Sequence, residues 1–221
     1  FRFSYLMLKM NKLIQLIAIA LVFTACDTSS KWKPTQEVIS ESGIYVDLSP
    51  YGKQVMRHRD SMSAMFLSGA NGVMPKSDLS PVGKLNYYPV EEVFKVKATF
   101  TPIENGEVFE MQTNTDRLPE YRYYGVLSFK MADTTLELTL YQNVEQPDYL
   151  FCPFKDLTNG KDTYGAGRYL DFQLADLDNP IIDFNYAYNP YCAYNKEYSC
   201  PIPPIENHLQ VPITAGEKTW H

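Results

Sequence analysis

The 221-residue sequence is short of the residues that most often carry chemistry, with three histidines, four cysteines and two tryptophans. A structural zinc centre needs four ligands, and His208 with Cys152, all that remain beside the Cys192 and Cys200 pair, have no recognised ligand spacing. No metal and no cofactor is expected. There is no excess of positive charge: 20 basic against 26 acidic residues give a formal net charge of −6 and a pI near 5.1. Neutralising phosphates requires clustered cations, so nucleic-acid binding is excluded as the main role. Charged residues make up 21% and mean hydropathy is −0.29, which excludes a polytopic membrane protein, while 45% hydrophobic side chains exclude a disordered chain. Gly-x-Ser-x-Gly, HExxH and Walker patterns are all missing. No repeat with a period of roughly 20–50 residues recurs, which argues against a solenoid or propeller. Aromatic residues, in contrast, are plentiful: 17 Tyr and 12 Phe fit a sheet better than a helical bundle.

The N-terminal residues 1–25 read as an export signal. Lys9 and Lys12 precede an apolar run from Leu13 to Phe23, interrupted by Gln15 and too short to span a bilayer of about 30 Å. Residues ahead of Met10 are expected to be an over-extended gene start. Val22-Phe23-Thr24-Ala25-Cys26 resembles a bacterial lipobox, with Phe23 where Leu is usual, and predicts lipidation at Cys26. Cleavage would remove Arg2, Lys9 and Lys12 and no acid; 20 basic residues less these three leaves 17 against 26, a net charge of −9. Acyl chains rather than charge would hold such a body at the membrane. Residues 26–48 then form the lipidated cysteine and a tether, and 49–221 a single domain of a bacterial cell-envelope protein, with the periplasmic or surface side unassigned.

Ser49-Pro50 reads as an N-cap followed by proline at the first helical position. Val55, Met56, Arg59, Met62, Met65 and Phe66 recur at three- and four-residue spacing up to Gly69, a C-terminal stop. From Glu92 the period changes to two: Phe94, Val96, Ala98 and Phe100 alternate with Lys95, Lys97 and Thr99. Asn105-Gly106 signals a hairpin to Val108–Met111, and Ala132-Asp133 a second hairpin between Tyr121–Met131 and the alternating Leu136, Leu138 and Leu140. Further short strands are expected at Tyr149–Phe151, Arg168–Phe172, Ile181–Phe184 and Leu209–Ile213. The fold class is mainly β: an antiparallel β sandwich or partly closed barrel with one N-terminal amphipathic helix.

The C-terminal third carries the densest motifs: Asp156-Leu157-Thr158-Asn159-Gly160, Gly165-Ala166-Gly167-Arg168-Tyr169-Leu170, and Asp183-Phe184-Asn185-Tyr186-Ala187-Tyr188-Asn189-Pro190-Tyr191-Cys192-Ala193-Tyr194-Asn195. It closes with Cys200-Pro201-Ile202-Pro203-Pro204-Ile205-Glu206-Asn207 and Ala215-Gly216-Glu217-Lys218. With His58-Arg59-Asp60 and Leu85-Asn86-Tyr87-Tyr88-Pro89 upstream, this string resembles the family called domain of unknown function 1684. The resemblance implies no activity. His208 and Tyr191 depart from the family's usual Arg and Pro, which argues against a central role for either.

The same residues can be read by themselves. Gly165 and Gly167 suit a tight turn, since a β-type run rather than a helix follows. Arg168 calls for a partner, with Asp171, Asp183 and Glu206 as candidates, or a ligand carboxylate. Asp183, Asn185, Asn189, Asn195, Glu206 and Asn207 either satisfy loop backbone or bind a ligand. Five loop tyrosines (Tyr186, Tyr188, Tyr191, Tyr194 and Tyr198) add aromatic faces of the kind a small polar ligand pocket uses. Arg168, Asp183, Asn185, Tyr188, Asn189, Tyr194, Asn195, Glu206 and Asn207 are therefore the candidate ligand-binding set. In an exported chain Cys192 and Cys200 are expected to form a disulfide, worth roughly 2.6 kcal/mol on the chain-entropy argument. The leading expectation is a lipid-anchored β domain that binds a small polar ligand. The alternatives are an enzyme using Arg168, Asp183 and Cys192, or a protein-interaction module. No feature sets ligand identity, leaflet or oligomeric state.

Overall fold

The computed structural model describes residues 48–80 and 83–220, all within the unit Pro34–His221. The export signal, Cys26 and most of the tether lie outside the described residues. Among the described residues no helix is long and apolar enough to cross a membrane.

Helix α1, Pro50–Leu67, begins where local chemistry directs it. Ser49 Oγ accepts from the Gly52 N–H at 3.1 Å, satisfying one of the orphan amides of the first turn. The helix stops at Ser68 and Gly69, the latter with φ +76°. Its inner face buries Val55, Met56, Arg59, Ser63, Phe66 and Leu67; Met62 is half-buried and Met65 is exposed. The buried Arg59 is a tie rather than a defect, since it donates to the Tyr88 carbonyl at 2.8 Å and the Asn185 carbonyl at 3.1 Å. Tyr51 adds a second tie, its hydroxyl donating to the Asp183 carboxylate at 2.7 Å. These bonds dock α1 on Tyr88, ahead of the first strand, and on Asp183 and Asn185 at the end of the last.

Seven strands form one antiparallel sheet: β1 Lys95–Pro102, β2 Val108–Glu110, β3 Glu120–Met131, β4 Thr134–Asn143, β5 Tyr149–Phe154, β6 Arg168–Gln173 and β7 Ile181–Asp183. The order is β6-β5-β4-β3-β1-β7, with β2 also on β3. The sheet curls into a half-barrel, so of the two expected forms the partly closed barrel is present and the sandwich is not. A single bridge joins its ends: Tyr169 of β6 exchanges two backbone hydrogen bonds, 2.9 and 3.1 Å, with Tyr188 just past β7. Leu127, Phe129, Leu138, Leu140, Leu150 and Phe154 fill the inside. A bulge at Tyr123–Gly125 turns Tyr121 and Tyr123 outward, where they meet Tyr141, Phe151 and Tyr169 in a second, aromatic cluster.

Two local expectations are corrected. Asn105-Gly106 does not make a hairpin of β1 and β2, because both pair with β3, at residues 125–129 and 120–122. Asn105 takes φ +53° as expected of a turn, but the turn links two stretches along one edge. Leu209–Ile213 is not a strand. It runs as irregular chain whose Leu209 and Ile213 plug the core, while Leu209 N–H and Val211 carbonyl bond to Lys155 and Leu157.

Candidate functional site

A cavity of about 300 Å³ lies between α1 and the loop after β7. His58, Met62 and Phe66, spaced by four, line it from one face of α1. Tyr186, Tyr188, Asn189 and Tyr191 line it from the loop, with Tyr87, Asp171 and Glu217 completing the polar wall. Glu217 is held there by Gly216, whose φ is +75° and on which a Cβ would lie only 2.6 Å from the Phe184 and Ala187 carbonyl oxygens, leaving no room for a side chain. The Glu217 carboxylate accepts from the Asn189 N–H at 2.9 Å and, at very short range, from the Tyr194 hydroxyl. It is 2% exposed, and burial pushes its carboxyl up to about 7 against the pull of Tyr194, Asn189 and Arg168. No ion pair among the described residues joins it to a cation.

Asn189 is the other unusual member. Its amide nitrogen donates to the Lys218 carbonyl at 2.8 Å, but its side-chain oxygen is buried without a hydrogen-bond partner. Leaving such an acceptor unmet costs about 1–3 kcal/mol. Asp171 accepts from Tyr149 at 2.6 Å and from Tyr188 at 2.8 Å; crowding by the aromatic rings raises its carboxyl, and these hydroxyls oppose the shift. His58 lies with its ring 4.9 Å from that of Tyr186, and partial burial together with the Arg59 charge lowers its pKa, keeping the imidazole neutral near pH 7.

His58, Asp171, Tyr186 and Tyr188 also line a larger, more open groove of about 690 Å³. Asp176, Asp178 and Asp183 lie along it. Neither Lys nor Arg lines the cavity or the groove among the described residues.

The candidate residues from the sequence fall into two groups. Tyr188, Asn189 and Asn185 line the cavity, Asp183 lines the groove, and Tyr194 reaches the cavity through Glu217. Asn185 is already saturated: its amide donates to the Glu91 carbonyl at 2.8 Å and accepts from the Glu91 N–H at 3.0 Å. The other four serve the fold. Asn195 accepts from the Glu197 N–H at 3.0 Å within its own turn, and Glu206 accepts from Tyr141 at 2.8 Å. Asn207 accepts from Thr139 N–H at 2.7 Å and donates to the Thr139 and Pro153 carbonyls.

Arg168 is wholly buried, and its partner is none of the three acids expected but Asp156, at 2.8 Å. It also donates to the carbonyls of Ile213 at 2.8 Å, Glu217 at 3.2 Å and Ala215. The guanidinium clamps the last segment to the sheet and touches the loop only through Glu217. Gly167, at φ +110° and with room for no side chain because a Cβ would lie 2.7 Å from the Phe154 carbonyl oxygen, makes the turn that aims it.

Cys192 and Cys200 are free thiols in this structure, the Cys192 N–H donating to Cys200 Sγ at 3.2 Å. The contact with Cys200 lowers Cys192 to about 7, while Cys200 is pushed up by the same contact. Neither lines the cavity. Among the described residues no group of three or more His, Cys, Asp or Glu is arranged to hold a metal ion.

Sequence reasoning missed Glu217, Asp171 and His58 as cavity residues. The available signal was Ala215-Gly216-Glu217, where a glycine ahead of a lone acid marks a tight backbone approach.

Fold and site together define a mainly β, half-barrel protein with an acidic, aromatic cavity under its helix. The family model described as "Protein of unknown function (DUF1684)" matches residues 83–218, and the chain belongs to that family. The match includes every cavity residue named above except the three on α1. Among solved structures, the solution NMR structure of an uncharacterized protein of Haloarcula marismortui is 32% identical, with a TM-score of 0.60. That match covers 76% of this chain and 94% of the other. A search of the curated proteins finds no match.

Proposed function

We propose that this protein binds a small polar ligand bearing hydrogen-bond donors, in the cavity between α1 and the loop after β7, and that it does so from a lipid anchor in a bacterial cell envelope. The observation that carries the binding reading is a cavity wall holding the buried Glu217 carboxylate and Asn189, whose side-chain oxygen has no partner among the described residues. Both residues line the cavity with Phe66, Tyr87, Tyr186, Tyr188 and Tyr191, the mixture of apolar wall and few polar groups that small-molecule sites use. The outer-face aromatics Tyr121, Tyr141, Phe151 and Tyr169 are buried, which favours this cavity over a flat interaction surface.

A thermal-shift screen of small polar compounds against the full chain tests the reading, since a ligand that binds the native state raises its melting temperature. Hits should weaken in Tyr188→Phe, which loses the hydroxyl shared with Asp171, and persist in Asn195→Ala, which alters a turn outside the cavity. Hits insensitive to Tyr188→Phe would refute it. The anchor rests on the lipobox-like Val22–Cys26 run. Cys26→Ala should move the protein out of the membrane fraction, and a variant that fractionates like the parent would refute the anchor.

A further inference from the structure

We infer that the ligand is an elongated organic amine of the linear di- or polyamine class, with one ammonium group in the inner cavity and the rest of its length along the outer groove. This rests on the ligand-binding reading above and names what that site would take. Three observations point the same way.

The first is charge. Glu217 and Asp171 line the cavity, Asp171, Asp176, Asp178 and Asp183 line the groove, and no Lys or Arg lines either among the described residues. Four of these acids also accept from the protein: Asp171 from Tyr149 and Tyr188, Glu217 from Asn189 and Tyr194, Asp183 from Tyr51 and Asn185, and Asp176 from the Gln173 N–H at 2.7 Å. An ionised carboxylate has about four acceptor sites, so Asp171, Asp176 and Glu217 keep capacity for a ligand, and Asp178 adds its charge to the groove. A phosphate, sulfate or carboxylate ligand would meet these acids along the length of the groove, and a neutral polyol would gain nothing from their charge.

The second is the orphan acceptor. Asn189, a residue of the cavity lining, is 1% exposed, its backbone N–H binds the Glu217 carboxylate, and its side-chain oxygen has no hydrogen-bond partner among the described residues. An ammonium group carries three donors and no acceptor. It suits a wall rich in acceptors, and Tyr186, Tyr188 and Tyr191 supply aromatic rings of the kind that attract a cation.

The third is shape. The cavity and the groove share His58, Asp171, Tyr186 and Tyr188, so the acids continue from one compartment into the next. A compact monoamine would occupy the inner part alone and gain nothing from Asp178. A chain with a second ammonium, separated from the first by methylenes, would use both compartments while its apolar links lie along Tyr186, Phe172 and Ile181.

Isothermal titration of the full chain at low salt, with spermidine, putrescine, n-butylamine and 1,4-butanediol as probes, tests the inference. Putrescine and spermidine should bind at least about tenfold more tightly than n-butylamine, which has the same carbon chain and one charge fewer. Asp178→Asn, an exposed substitution, should shrink the advantage of the diamine over the monoamine, and Glu217→Gln should weaken every amine. Equal binding of putrescine and n-butylamine would overturn the elongated ligand. Binding of 1,4-butanediol as tight as putrescine would overturn the amine class and leave the ligand-binding reading standing. Silence from every amine, with neutral screening hits still sensitive to Tyr188→Phe, would also overturn the class alone; loss of the screening hits as well would bring down the ligand-binding reading with it.

Discussion

Asp156 and Glu217 are both buried acids, and Arg168 touches both residues, yet the fold surrounds them very differently. Asp156 receives the Arg168 guanidinium at 2.8 Å, the Thr158 hydroxyl at 2.6 Å, and the N–H groups of Thr158 and Ile213. Its acceptor capacity is consumed by the protein. Glu217 offers Arg168 only its backbone carbonyl; its carboxylate has one N–H and one hydroxyl donor and borders a cavity. Saturation therefore separates a structural acid from a candidate binding acid better than burial does, since both are buried.

The comparison is broken most severely at Arg168. Arg168→Met strands the Asp156 carboxylate in the interior, and urea unfolding should show a loss of about 3–5 kcal/mol, partly recovered when Asp156→Asn is added. A loss below about 1 kcal/mol would mean that Asp156 is solvated, and the contrast with Glu217 would collapse.

A smaller effect sharpens the other side. The Glu217 carboxyl rises from 4.5 to about 7 on burial, so the native chain holds a proton that the unfolded chain has already released. An acid raised by folding contributes stability in full below 4.5, and that contribution is lost as pH climbs through 7. Stability of the parent should thus fall across this window relative to Glu217→Gln, by on the order of 3 kcal/mol at most. Melting temperatures of both proteins across roughly pH 3.5 to 8, about one unit beyond either end of the window, make the check. Parallel profiles would show that Glu217 carries no such shift.

How much of this was legible in the sequence depended on distance along the chain. Helix α1 was readable because its signals are local: Ser49 and Pro50 open it and Gly69 closes it. Strand alternation likewise exposed β1, β3 and β4, whose inward residues are those expected. Asn105-Gly106 announced a turn correctly, but a turn does not say which edges will pair, and β3 accepted both neighbours. An apolar run such as Leu209–Ile213 cannot by itself distinguish a strand from chain that fills a core. At the site, Tyr188, Asn189 and Tyr194 stood out as a Tyr- and Asn-rich loop. Glu217, Asp171 and His58 did not, because they come from the C-terminal segment, β6 and α1, and only the closed fold assembles them. Arg168 shows the same limit at shorter range: its need for an acid was legible, and the identity of that acid was not.

Asn207 has a consequence of another kind. Strands β4 and β5 pair directly only at Tyr141–Phe151 and Gln142–Leu150, and Pro153 brings no N–H to the joint. Where the strands part, the Asn207 carboxamide stands in for a peptide group, binding the Thr139 N–H and the carbonyls of Thr139 and Pro153. A nascent chain therefore reaches the end of β5 with that joint incomplete, and it stays so until residue 207 has been synthesised and has travelled back across the sheet. Completion of the half-barrel is a late, non-local event, governed by loop-closure entropy more than by any propensity written into β4 or β5.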